Sequence, residues 1–268
     1  MISKRIIIFI MTFFFVTSQI GALTAYGDKM TVISDKLDEG IICVNVSGES
    51  TKRMRIGIHA KNGNQTYFYT YSKGDGEIDV PLIFGNDSYS IELYEEVSDK
   101  YYKLCDSQDV VLQMPDYDDV YLASSFKVPW DDAKNTIKKA GELAGKKKND
   151  FDKFNAIYEY VVKNITYDTD KKVESGYCSS PDETLNCGTG ICIDYAVLMA
   201  SMLRSLDIKC KLIYGYAQDM SGYHSWNEVY IKGKWVIVDP TKDAQCYFAN
   251  KQFKYSKTPI YYKRVYTF

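Results

Sequence analysis

Seven cysteines, two histidines and a set of scattered carboxylates are the residues from which this 268-residue chain could build a catalytic site. Cys192 lies in Gly190-Ile191-Cys192-Ile193-Asp194-Tyr195-Ala196, in the first turn of a helix predicted from about Gly190 to Leu206. A helix N-terminus offers free N–H groups and a partial positive charge. Both favour thiolate over thiol, and the same N–H groups would hold an oxyanion. Gly188 and Gly190 leave room for a substrate backbone to approach. The helix is apolar around most of its circumference, with Asp194, Ser201 and Ser205 as a polar stripe. At about 100° per residue, Cys192 lies about 160° from Asp194 and points into the protein. The other reading of Cys192 is a buried small hydrophobe or one half of a disulfide.

A mechanism that needs an imidazole must take His59 or His224. His224 opens the strand-like run His224-Ser225-Trp226-Asn227-Glu228-Val229-Tyr230-Ile231, where a lone histidine is ordinarily a polar surface residue. Lys232-Gly233-Lys234 then turns the chain into Trp235-Val236-Ile237-Val238-Asp239-Pro240-Thr241. That hairpin brings Asp239 toward the start of the histidine strand, where a carboxylate would hold one imidazole tautomer. A three-residue loop sets Asp239 opposite Asn227, roughly 10 Å along the strand from His224. A bulge, a strong twist or a longer loop is needed to close that gap. Asp243, Asp219 and Asn227 are the rival orienting groups.

The elements around these residues change period along the chain. Lys4 and Arg5, an apolar run from Ile6 to Val16 and small residues through Gly27 read as a secretory signal peptide over residues 1–27. The apolar run is too short to span a membrane, so cleavage leaves no stable membrane insertion and a secreted or cell-surface protein. Residues 28–115 read as an antiparallel β-sandwich, immunoglobulin-like, with strands at Ile41–Val46, Arg53–His59, Thr66–Tyr71, Glu77–Phe84, Ser88–Glu95 and Tyr101–Leu112. Tyr67, Tyr69 and Tyr71 share one face there, either as a ligand-binding ladder or as ordinary strand residues. Residues 116–130 read as a linker and 131–268 as an α+β catalytic domain, with helices over Asp131–Lys148 and Phe151–Asn164. Strand-like runs follow at Lys211–Tyr216, Ser225–Ile231 and Trp235–Val238. The stretch from Lys251 to Arg264, rich in lysine and tyrosine, reads as a solvated strand edge.

Composition narrows the function classes. A hydrophobic fraction of 46% and a charged fraction of 25% are those of a folded globular chain. A formal net charge of −2 gives no basis for nucleic acid as a partner. Neither a CxxC nor a cysteine–histidine cluster with ligand spacing occurs, so no metal or other cofactor is expected. Export permits disulfides, with Cys43–Cys105 and Cys178–Cys187 plausible by segment, or seven reduced thiols.

Taken in order, Gly190 to Ala196, Tyr214-Gly215-Tyr216, His224 to Val229 and Trp235 to Thr241 resemble the transglutaminase-like core. Tyr158-Glu159-Tyr160-Val161 through Ile165-Thr166-Tyr167-Asp168 is similar to that family's leading helix, so the resemblance runs from about Phe151 to Ala244. It implies a papain-like arrangement with Cys192, His224 and Asp239 as the catalytic triad and Cys192 as the odd, unpaired cysteine. The implied reaction is acyl transfer on protein or peptide amide bonds, cell-wall peptide among them. A non-catalytic wall-binding protein on the same scaffold is the competing class. Ile193 stands where animal transglutaminases carry tryptophan after the nucleophile, and no acidic loop of the EF-hand kind is present, so calcium dependence does not transfer. The match is nearer the short bacterial members, which resemble proteases and amidases as much as cross-linkers. Asn186, six residues before Cys192, stands where papain-like enzymes place an oxyanion amide.

Overall fold

Between Lys29 and Val111, β-branched and aromatic residues are broken by turns rich in Gly, Asn and Asp, and this pattern folds into antiparallel strands. The computed structural model describes residues 29–48, 50–63, 65–72, 74–98, 101–174 and 176–268; the expected signal segment, residues 1–27, lies outside them. The strands are β1 (Lys29–Ile33), β2 (Ile41–Ser47), β3 (Met54–Ala60), β4 (Gln65–Tyr71), β5 (Ile78–Pro81), β6 (Ser88–Ser98) and β7 (Tyr101–Val111). One sheet runs β1-β2-β5 and the other β4-β3-β6-β7, the two-sheet order of an immunoglobulin-like sandwich. Tyr67, Tyr69 and Tyr71 lie opposite Ile58, Ile56 and Met54 on β3 and are all buried, so these rings fill the core and form no ligand ladder. Phe268 packs edge-on against Tyr67, and Phe126 edge-on against Tyr69.

Residues 116–130 are not a free linker. Val120, Tyr121 and Val128 are buried in the hydrophobic cluster that also holds both sheets and the helices beyond. Trp130 donates its indole N–H to the Leu122 carbonyl at 2.9 Å. Arg204, almost fully buried, donates to the carbonyls of Cys210, Ala123 and Phe268 at 2.9, 2.7 and 3.1 Å. One guanidinium thereby ties the second half to this segment and to the last residue.

The second half is built around one helix. Four helices and a sheet surround α4 (Cys192–Arg204): α1 (Lys134–Ala144), α2 (Asp150–Asn164), α3 (Pro181–Cys187) and α5 (Pro240–Phe248). Phe154, Ile157, Tyr158, Val161 and Val162 form the buried stripe of α2 that their spacing predicts. The sheet has the order β12-β11-β10-β13, from β10 (Cys210–Ala217), β11 (His224–Ile231), β12 (Lys234–Val238) and β13 (Tyr262–Thr267). A short parallel pair, β8 (Thr166–Tyr167) with β9 (Thr189–Gly190), leads into α4. The architecture is α+β; β13 lies at the sheet edge but begins at Tyr262, so most of the expected strand edge from Lys251 to Arg264 is not strand.

Two expectations fail here. Asp194 and Ser201 are fully buried and Ser205 half-buried, so the polar stripe of α4 lies mostly within the protein, under neighbouring elements. Neither expected disulfide forms. Cys43, Cys178 and Cys187 are free thiols; Cys43 donates to Glu77 at 3.7 Å, Cys178 to the Gly176 carbonyl at 3.5 Å, and Cys187 is exposed at the end of α3.

Candidate active site

The helix that opens on Cys192 begins at a tightly held turn. Asp194 accepts the Ile191 N–H at 2.9 Å, satisfying one of the donors that a helix start leaves open. The same carboxylate takes Lys171 Nζ at 2.7 Å, Tyr177 OH at 2.9 Å and Ser179 Oγ at 2.7 Å. The loop before α3 is thus tied to the start of α4. Gly190 is required by close approach, because a Cβ there would come within 2.6 Å of the Asp194 Cβ. Cys192 is half-buried and Asp194 fully buried, the reverse of the sequence expectation. With α4 largely enclosed, the thiol at its first residue is the group left within reach of solvent.

His224 and Asp239 meet because of one register. Ile231 pairs with Lys234, so the β11–β12 turn has two residues, Lys232 and Gly233, both at positive φ. This is the turn geometry that matches strand twist. Asn227 therefore pairs with Val238, and Asp239 comes level with Trp226. The three-residue loop expected from sequence is off by one, and one residue exchanges the faces of a strand. In the observed register Asp239 is a diagonal neighbour of His224 on a single face, with no bulge between β11 and β12. The His224 Nε2 to Asp239 Oδ2 distance is 2.9 Å.

The pair is dry, with His224 2% exposed and Asp239 0%. Burial disfavours the imidazolium, but Asp239, hydrogen-bonded to His224, and the neighbouring Cys192 outweigh it and hold its pKa up to about 9. Burial likewise opposes the Asp239 charge, yet His224, the Lys242 N–H and the Tyr262 hydroxyl keep this carboxyl below the usual range. With Nε2 on Asp239, Nδ1 is the nitrogen left for Cys192. A thiol, an imidazole and a carboxylate in this order can deliver a thiolate to a carbonyl carbon and a proton to the group that leaves it.

None of the rival orienting groups serves His224. Asp243 pairs with Lys257 and accepts Tyr158 OH at 2.8 Å. Asp219 is exposed beside Lys242, and Asn227 donates to the Ala196 and Lys211 carbonyls. His59 sits on β3 in the sandwich, 2.6 Å from Thr66 Oγ1.

Residues 137–240 match the transglutaminase-like superfamily core. This part of the chain is a transglutaminase-like core domain. Kyphoscoliosis peptidase of Mus musculus is 30% identical over 104 residues, which are 35% of this chain and 16% of that protein. The chain thus spans under a fifth of that relative's length. Among solved structures, the periplasmic domain of TgpA from Pseudomonas aeruginosa aligns with 82% of this chain and 95% of its own, at 13% identity and a TM-score of 0.38. Red sea bream transglutaminase aligns with 75% of this chain and 48% of its own, at 13% identity and a TM-score of 0.31.

Three features around the transglutaminase-like core escape a reading of the sequence. Asn186 is exposed on α3 and lines a groove with Lys138, Lys139, Glu142 and Tyr160, which Cys192 does not line. Asp239 also caps α5, accepting the Lys242 N–H on Oδ1 at 3.0 Å, with Pro240 as the first helical residue. The Asp-Pro pair was the available signal for that helix. Tyr262, beyond the matched residues, donates to Asp239 Oδ2 at 3.0 Å, and nothing in its local sequence marks it. Among the described residues no group of three or more His, Cys, Asp and Glu side chains is disposed to hold a metal ion, and no helix is long and apolar enough to cross a membrane.

Proposed function

We propose that the protein is an exported thiol acyl-transfer enzyme acting on amide bonds of proteins or peptides, wall peptide included. The observation that carries this reading is the buried His224, 2.9 Å from Asp239 and with Cys192 close enough to help hold its proton. The Cys192 thiolate adds to the amide carbonyl carbon, and the first-turn N–H groups of α4 receive the oxyanion. As the tetrahedral centre collapses, the C–N bond breaks and His224 gives its proton to the departing nitrogen. Neutral His224 then takes a proton from water as its oxygen attacks the thioester, releasing the acid and restoring the thiolate. Asp239 holds the ring and offsets its charge throughout. Water at about 55 M outcompetes an amine unless a dedicated site excludes it, which favours hydrolysis over cross-linking. The peptidase name of the mammalian relative agrees with that preference.

A brief iodoacetamide pulse at pH 6, followed by peptide mass spectrometry, tests the reading. Ordinary thiols are protonated there, so fast labelling confined to Cys192 and slowed at least about 10-fold by His224→Ala is the expected result. An inert Cys192 would favour the other class, a wall-binding protein on the same scaffold.

A further inference from the structure

The last strand of the sheet reaches the site by an irregularity. β13 pairs with β10 as Ile213 with Thr267 and Tyr214 with Tyr266, then as Gly215 with Arg264, Tyr216 with Lys263 and Ala217 with Tyr262. Val265 is the extra residue, a bulge between Tyr214 and Gly215. One inserted residue exchanges the faces of everything beyond it. On one side of the bulge Tyr266 and Phe268 share the face of Tyr214. On the other side Tyr262 and Arg264 share the face of His224, Trp226 and Glu228. The contacts agree: Tyr262 packs edge-on against Trp226 with centroids 5.1 Å apart, and Arg264 pairs with Glu228. Gly215 is what lets β13 lie so close, since a Cβ there would be 2.1 Å from the Lys263 carbonyl oxygen and 2.8 Å from Trp226.

The bulge leaves the Tyr262 hydroxyl 3.0 Å from Asp239 Oδ2, the oxygen that also receives His224 Nε2. Burial and the adjacent Asp239 push this phenol above its ordinary range, so it stays protonated and donates. With the Lys242 N–H on Oδ1, the carboxylate has donors at both oxygens and one allowed orientation. We propose that Tyr262 is a positioning residue for the Cys192–His224 pair, acting through Asp239, and that the Val265 bulge is the device that aims it. The proposal rests on the catalytic reading of Cys192, and it makes β13, outside the matched core, part of the machinery.

The groups facing Asp239 are His224 and Trp226 from β11, Tyr262 from β13, the Lys242 N–H and Asp243 from α5, and Tyr158 from α2. Of these, Tyr262→Phe removes one donor and keeps the ring on Trp226. The probe is iodoacetamide alkylation of Cys192 in the full chain between pH 4 and 9. In Tyr262→Phe, the Cys192 rate at neutral pH should fall by about 3- to 10-fold, the net worth of one ordinary hydrogen bond acting through Asp239. The acid limb of the profile should move to higher pH, because a carboxylate that loses a donor is protonated more readily. An unchanged rate, or a uniform slowing with the acid limb unmoved, would overturn the proposal. Should Tyr262→Phe fail to fold, Tyr262→Gln returns a donor on a smaller side chain and should restore the wild-type limb, and a displaced limb there would also overturn it. If wild-type Cys192 is slow, or His224→Ala does not slow it, the catalytic reading fails instead, and the two failures are distinct.

Discussion

Asp239 stands level with Trp226 across the β11–β12 ladder, and that single register places its carboxylate diagonally beside His224. Both side chains are removed from water, so each is held in its charged form by the other.

Replacing Asp239 with Asn keeps the shape and removes the charge. Burial then dominates the His224 environment, and the imidazole pKa should drop from about 9 to below its ordinary 6.5. Only two histidines are present, so an NMR titration of the ring resonances reads this directly. Cys192 alkylation at pH 7 should fall by about 100-fold or more in the same variant. A midpoint that stays near 9 would contradict the role given to Asp239.

Stability should depend on pH through three groups with different signs. His224 binds its proton more tightly folded than unfolded, so its contribution is whole below pH 6.5 and is lost as pH rises through about 9. Asp239 is depressed, so its contribution is whole above the unfolded carboxyl range and is lost as pH falls through its folded value. Asp243 is raised to about 6 by burial, which the Lys257 ion pair only partly offsets, and ionising it costs stability between the usual 3.8 and 6. Urea midpoints across pH 3–10 should show an alkaline decline in the wild type that His224→Ala abolishes. Asp243→Asn should remove a decline with rising pH near pH 5.

Asp194→Ala should be among the most damaging changes distant from His224. It leaves Ser179 Oγ, Tyr177 OH, the Ile191 N–H and the partly exposed Lys171 ammonium without their shared acceptor. A loss of about 3 kcal/mol is expected from stranding buried donors. Urea unfolding measures it, and slower Cys192 alkylation should accompany it because the first turn of α4 loosens.

Arg204→Met tests the tie between the two halves. The variant fills much of the volume but removes the guanidinium donor from the carbonyls of Cys210, Ala123 and Phe268, the last of which keeps the Leu212 N–H. A loss of about 2–4 kcal/mol is expected, with no shift in the pH profile of Cys192 alkylation, since Arg204 touches none of the three site residues.

Much of the architecture was legible along the chain because it is written in short periods. The alternation of β2, β3, β4 and β6 and the helical stripe of α2 depend on neighbours a few residues apart, and burial follows from them. The ordered pieces around Cys192, His224 and Asp239 marked the site residues for the same reason: each sits at the end of a readable element. The α3 and α5 helices went unread although both open on a capping residue followed by proline, because each is under ten residues and shows little periodicity.

What the chain could not declare by itself depends on packing between distant segments. Local sequence determined that a hairpin turns near Lys232, but the choice of a two-residue turn, and hence which face carries Asp239, was decided when Val229 and Ile231 were buried beside α4. Tyr67 and Tyr69 became core rather than ligand surface only once Phe126 and Phe268 covered them. The placement of Tyr262 arises from a bulge at Val265 and a glycine at Gly215, 50 residues apart in sequence yet adjoining in space. Periodicity is local and register is not: a one-residue slip leaves every propensity intact and turns every side chain to the other face.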